Sequence, residues 1–150
     1  MATVQLSHDY PLSAAELFAR IVRYDELTEA MRNIATYQGM PDGEAHFGQK
    51  FTVNVKLRGW LPTPPWTIEV VRRDDAARVL ASIERGGPVK RWAHTITIQD
   101  KPGGGSTMRD VIAIDAGLLT GFYVGQARAM YEARHAARRK LLGIEGGQTL

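Results

Sequence analysis

The chain has 150 residues, enough for one domain that buries roughly 70% of the surface its unfolded chain would expose. A hydrophobic fraction of 44%, a charged fraction of 23% and a net charge of +3 belong to an ordinary folded domain with a modest basic excess. With no cysteine, disulfides, thiolate metal ligands and a cysteine nucleophile are excluded. Met1 to Gln5 lacks a charged segment followed by an apolar run, so no signal peptide is expected. No stretch approaches the ~18 apolar residues of a membrane span. A cytoplasmic protein without stable membrane insertion is the expectation.

Thr3 to Asp9 alternates, with Val4, Leu6 and His8 on one side, which predicts a half-buried strand. Ser13 followed by Glu16 three residues later has the form of a capping box. The helix it starts carries an apolar stripe of Leu17, Phe18, Ile21 and Val22, and a second short helix is predicted from about Tyr24 to Met31. Strands follow. Ile34 to Gly39 forms one, and Gln49 to Gly59 alternates Phe51, Val53, Val55 and Leu57 against polar residues. Trp66 to Arg72, Arg78 to Arg85, Val89 to Asp100 and Ser106 to Asp115 repeat the pattern across short turns rich in Gly, Pro or Asp. Such a series predicts an antiparallel meander with one wet face. A long helix from about Leu118 to Leu142 closes the chain, with Leu119, Phe122, Gln126, Met130, Ala133, Ala137 and Leu141 as its expected core-facing stripe. Gly143 is its C-terminal cap. The expected domain is 1–143, with 144–150 as a flexible tail.

Strands segregated from helices make this an α+β chain. A one-faced meander must cover its apolar side, and only the final helix is long enough to do so. The sheet is therefore expected to curl around that helix in a helix-grip fold of about seven strands, with two short helices after the first strand.

At Trp92-Ala93-His94-Thr95-Ile96-Thr97-Ile98, at Gly104-Gly105-Ser106-Thr107-Met108-Arg109-Asp110 and at Met130-Tyr131-Glu132-Ala133-Arg134-His135 the chain resembles the START-like, Bet v 1-like and polyketide-cyclase-like (SRPBCC) domains. The likeness spans nearly the whole chain and lies nearest the bacterial ligand-binding SRPBCC proteins. It implies a cavity between sheet and helix for a lipid, sterol, aromatic or polyketide-like ligand. These domains share no catalytic motif, so the resemblance transfers no catalytic residue.

Polar residues on the inner face are the candidate chemistry. His94 is in phase with Trp92, Ile96 and Ile98, and Asp110 with Met108, Ile112 and Ile114. A three-residue turn, Lys101-Pro102-Gly103, would set the two directly opposite. A five-residue turn would make them diagonal neighbours about 7–8 Å apart. A buried carboxylate requires such a partner. The pair would serve as general acid and base, orient a ligand, or act only as a register-fixing ion pair. His8 falls on the inner face near a strand end. His46 and His135 read as loop and helix-surface residues. The four histidines lack metal-ligand spacing, so neither metal nor cofactor is expected.

Gln126 on the helix stripe implies a polar or hydrated cavity. Tyr131 and Arg134 lie on the stripe's flank, where snorkelling past the sheet edge is expected. The loop Gly59 to Trp66 contains three prolines and two tryptophans, and is either a lid or a packed connection. Arg128, Arg134, Arg138, Arg139 and Lys140 form a basic run that reads either as a polyanion patch or as a solvated helix face favoured by the helix dipole.

Three functions compete. The first is binding of a hydrophobic small molecule through Trp66, Trp92, His94, Asp110, Phe122, Tyr123, Gln126 and Met130. The second is a cyclase or dehydratase using His94 and Asp110. The third is an interaction module built on the basic helix or the Trp-Pro loop. No nucleic acid partner is expected, and the chain is expected to be a monomer or homodimer.

Overall fold

The computed structural model describes residues 1–144. Its elements are β1 (Ala2–Tyr10), α1 (Ala14–Ile21), α2 (Tyr24–Ala30), β2 (Ala35–Gln38), β3 (Lys50–Leu57), β4 (Leu61–Pro62), β5 (Trp66–Asp74), β6 (Val79–Gly86), β7 (Val89–Asp100), β8 (Ser106–Asp115), a 3-10 turn (Gly117–Leu119) and α3 (Thr120–Leu141). The strands form one antiparallel sheet in the order β1-β8-β7-β6-β5-β3-β2, with β4 folded back onto β3. The helix-grip architecture is therefore present, with seven strands along the path of the sheet. The added strand, β4, turns part of the Trp-Pro loop into a flap on β3. Of the expected tail, residues 145–150 lie outside the described residues, while Ile144 packs against the cluster around α1.

Local chemistry sets the ends of α1. Ser13 Oγ accepts the Glu16 amide at 3.2 Å, and Asp100 Oδ1 at the end of β7 accepts the Ala14 amide at 2.8 Å. Two orphan donors are thereby satisfied, and the helix is tied to the sheet. Its stripe of Leu17, Phe18, Ile21 and Val22 is buried against Ile98 and Met108. Gly86 illustrates the opposite end: a side chain there would lie 2.5 Å from the Trp66 ring and 2.6 Å from the Pro65 carbonyl. Only glycine lets β6 approach that closely.

The two ends of the sheet differ. α1, α2 and the loop after β2 close one end, where Arg73 bonds the Ala45 carbonyl and pairs with Glu44 and Asp75. At the other end Trp66 meets Trp92 edge-on at 5.5 Å, and Val4, Ile114, Ala127 and Tyr131 fill the remaining space.

The face of α3 departs from the sequence expectation. Ala127, Tyr131, His135 and Arg138 are buried, whereas Phe122 is 60% and Leu141 48% exposed. The inward face lies one residue, or about 100°, from the apolar stripe. It is turned toward polar partners that the apolar pattern does not register. The basic run disperses accordingly. Arg138 is buried in a fork with Glu26, at 2.5 and 3.3 Å, and Arg139 reaches the Asp9 carbonyl. Neither is part of a continuous cationic helix face.

This orientation is directly testable by denaturant unfolding. Ala127→Glu places a charge on the buried face and should cost more than about 3 kcal/mol. Gln126→Glu and Phe122→Ser, at exposed positions, should stay within about 0.5 kcal/mol of the parent protein.

Candidate functional site

The β7–β8 register pairs Asp100 with Ser106 and Ile96 with Asp110. The turn therefore contains five residues, Lys101 to Gly105, and His94 stands diagonal to Asp110. The diagonal is bridged: His94 Nε2 lies 2.7 Å from Asp110 Oδ1. On the other carboxylate oxygen, His135 Nε2 from α3 lies 2.8 Å away. A carboxylate only accepts, so both imidazoles present N–H at Nε2. Each Nδ1 then accepts a phenol: Tyr131 on His94 at 3.2 Å, and Tyr10 on His135 at 2.5 Å. Trp92 Nε1–H donates to the Tyr131 oxygen at 3.2 Å.

The result is an unbroken buried chain, Tyr10–His135–Asp110–His94–Tyr131–Trp92, linking β1, β7, β8 and α3. Burial pushes the Asp110 carboxyl upward, but the hydrogen bonds from His135 and His94 outweigh it and hold the group well below the usual carboxylate range. Burial also pushes His135 down to about 4, against the raising effect of Asp110. Desolvation raises both phenols, keeping Tyr10 and Tyr131 protonated. The chain therefore holds a buried, ionised Asp110 beside a neutral His135.

A partly open cavity of about 110 Å³ adjoins this chain. Ile68, Leu80, Ile96 and Met108 supply apolar wall; Ser82, His94, Asp110, Tyr131, Arg134 and His135 supply the polar side; and α2 covers it with Tyr24 and Leu27. Arg23, Tyr24 and Met40 also border an open groove over α2, so they stand between the cavity and solvent. Arg134 is the unusual wall group. Its Nε is buried without a hydrogen-bond partner among the described residues, and its guanidinium lies 4.7 Å from the centre of the Tyr131 ring. The nearby Glu84 is occupied by Trp66 Nε1–H at 2.5 Å and the Ser82 hydroxyl at 2.7 Å.

Of the residues singled out from sequence, His94 and Asp110 line the cavity together. Trp66, Trp92, Tyr123 and Met130 belong to the apolar plug at the other end. Phe122 and Gln126 are exposed on α3. Periodicity alone missed Tyr10, Tyr131, Arg134 and His135. One signal was available: Ala127, Tyr131 and His135 recur every four residues, in phase with Arg138. His135 is buried rather than on the helix surface, and Tyr131 is buried rather than snorkelling.

His8 stacks on His135 with ring centres 3.7 Å apart and planes 15° from parallel, and its Nε2 lies 3.0 Å from Glu132. His8, Asp110 and His135 bring possible metal-ligating atoms within 4.8 Å of one another. Ligating lone pairs lie in the ring planes, however, and those of two stacked rings run parallel instead of converging on one ion. The observed arrangement is a hydrogen-bonded polar stack.

No protein-family model and no curated protein sequence matches the chain. Solved structures do. Ara h 8.0201 superposes with a TM-score of 0.71 at 14% identity, covering 95% of this chain and 98% of that one. Norcoclaurine synthase from Thalictrum flavum gives 0.71 at 12% identity, covering 96% and 87%. The di-domain aromatase/cyclase BexL from the BE-7585A biosynthetic pathway gives 0.70 at 13% identity, covering 93% of this chain and 46% of that one. At this level of identity the likeness establishes architecture alone: the protein has the helix-grip fold that these structures share.

The buried ring of His135 makes stability depend on pH. Its pKa is depressed from 6.5 to about 4, so the unfolded chain takes up a proton there before the native state does. This contribution is full above about pH 6.5 and is lost as pH falls toward 4, by at most about 3 kcal/mol. Urea unfolding at about pH 7 and about pH 4.5 should show the loss, and His135→Gln should reduce it.

Proposed function

We propose that the protein binds a small, largely apolar molecule of about one ring in size in the cavity beneath α2, oriented by a single hydrogen-bond acceptor directed at Arg134. The unpartnered Arg134 Nε in the cavity wall carries this reading. The His94–Asp110–His135 chain is satisfied within itself, whereas the guanidinium is left with a buried donor, and such a donor favours a ligand that completes it. Volume restricts the size. About 110 Å³ is near the scale of a cavity that accepts benzene, so a sterol or lipid chain requires displacement of α2. With Asp110 and Glu84 both nearby, a neutral acceptor such as a ketone suits the site better than a second carboxylate.

Acid–base catalysis of the cyclase or dehydratase kind draws on the same hydrogen-bonded chain. Tyr131 lines the cavity and its hydroxyl bonds His94 Nδ1, so a proton taken up from substrate by that hydroxyl, as it passes its own proton on, would end at His94 Nδ1 while Asp110 steadies the imidazolium. His94→Ala and Asp110→Asn variants that retain the fold should then lose turnover; unchanged turnover removes their role.

Binding is measured by calorimetry or ligand-observed NMR with acetophenone and toluene as matched probes. Acetophenone should saturate the protein, Arg134→Met should weaken it about tenfold through loss of one charged hydrogen bond, and toluene should be unaffected by that change. Ile68→Phe, which fills the cavity, should abolish both. Failure of acetophenone to saturate, or equal weakening of both probes by Arg134→Met, sinks the reading.

A further inference from the structure

The exposed apolar side chains are gathered at one end of the molecule. Nine large ones are exposed among the described residues, and seven of them (Met1, Leu57, Trp60, Leu61, Leu118, Leu119 and Phe122) belong to the end carrying the tryptophan plug. Strand register places them there. Ala2 pairs with Ile114 and Arg91 with Asp115, just before the 3-10 turn that carries Leu118 and Leu119. Val53 pairs with Trp66, so the remainder of β3 and its flap project beyond the same edge. Leu118 is wholly exposed, Trp60 is 72% and Phe122 60% exposed, while the remaining two, Phe47 and Leu141, lie elsewhere. Single exposed apolar residues are ordinary; a set confined to one end marks an interaction surface.

Charge is segregated in the same direction. Lys56, Arg58, Arg85, Lys90, Arg91 and Arg128 are exposed near this end, and none takes part in the ion pairs of the described residues. At the opposite end Arg73 pairs with Glu44 and Asp75, Arg72 with Asp74, and Lys101 with Asp9, while Arg20 and Lys140 are exposed there outside the ion pairs of the described residues. The flap itself is held in an unusual backbone. Arg58 and Gly59 both have positive φ, 53° and 78°, and this turn presents Trp60 outward. Arg58 occupies a region that non-glycine residues seldom adopt.

We propose that this end of the protein docks on an anionic lipid surface. Its apolar groups sit on separate projections: the N-terminal residue, the flap, the 3-10 turn and the first turn of α3. A protein partner requires a continuous complementary face of about 800 Å². A bilayer interface accepts projections at any spacing, takes up indole and phenyl rings at headgroup depth, and attracts surrounding cations through its own charge. Peripheral docking requires no spanning segment, and no described helix is long and apolar enough to cross a membrane. The surface lies away from the cavity beneath α2, so this inference does not rest on the ligand proposed above.

The full chain is sedimented with phosphatidylcholine vesicles, with and without phosphatidylglycerol. Binding is expected only with the anionic lipid, weakening at least tenfold as salt rises from about 0.1 to about 0.5 M. A blue shift of tryptophan emission should accompany it and vanish in Trp60→Ser. Lys90→Glu/Arg91→Glu should weaken binding to the anionic vesicles at least tenfold, Phe122→Ser should weaken it too, and Phe47→Ser at the other end should leave it unchanged; far-UV circular dichroism confirms the fold of each variant. No sedimentation at low salt, or equal binding to neutral vesicles, overturns the proposal. So does a concentration-dependent dimer that Trp60→Ser and Phe122→Ser both abolish, which would assign the face to a second copy of the chain.

Discussion

A single buried carboxylate organises the interior. Asp110 stands on the inner face of β8 with no access to water, and an ionised group there is strongly unfavourable unless its oxygens are occupied. One imidazole from the neighbouring strand and one from the covering helix occupy them. Because both rings use Nε2–H toward the carboxylate, both present a basic Nδ1 outward, and two phenols must be close enough to cap those atoms. Placement of Tyr10, Tyr131 and, through it, Trp92 follows from the hydrogen-bonding inventory of one aspartate.

The same constraint explains the orientation of α3. A helix laid on an apolar sheet would bury its apolar stripe, and Leu119, Phe122, Met130 and Leu141 would face inward. The sheet beneath α3 is instead polar at its centre. Rotating the helix by one residue exposes several apolar side chains but brings Tyr131 and His135 onto the chain around Asp110, and Arg138 onto Glu26. Leaving the buried Asp110 and the buried Arg138 without partners is more costly than exposing a phenylalanine and a leucine.

That rotation also divides the interior. Toward the start of α3 the aromatic rings of Trp66, Trp92 and Tyr131 fill the grip. Toward its end, beneath α2, Arg134 occupies a wall position without a partner, and a small cavity persists beside it. Of the expected helix stripe, Leu119 and Phe122 are exposed at the plugged end and Leu141 away from it. The cavity and the exposed apolar groups face opposite ends of the molecule.

Strand alternation, the capped first helix and the order of elements were legible in the sequence, because sheet periodicity and helix capping are local. The phase of His94 and Asp110 was legible for the same reason. Whether they met directly or diagonally depended on the turn: its five residues leave Ile96 opposite Asp110 and His94 on the diagonal. The inward face of α3 could not be read from its own residues, since amphipathic pattern scores apolarity and this face is chosen by hydrogen bonding to strands more than twenty residues away. Cavity volume, the isolation of the Arg134 guanidinium and the burial of His135 exist only once helix and sheet are packed. The amino-acid sequence thus determined which segments fold and, on most strands, which side turns inward; on β6 the apolar alternation of Val79, Ala81 and Ile83 misled, because register sets Leu80, Ser82 and Glu84 beside the inward Ile96, His94 and Trp92. Tertiary structure alone decided which polar groups satisfy one another and which, like Arg134 Nε, is left without a hydrogen-bond partner among the described residues.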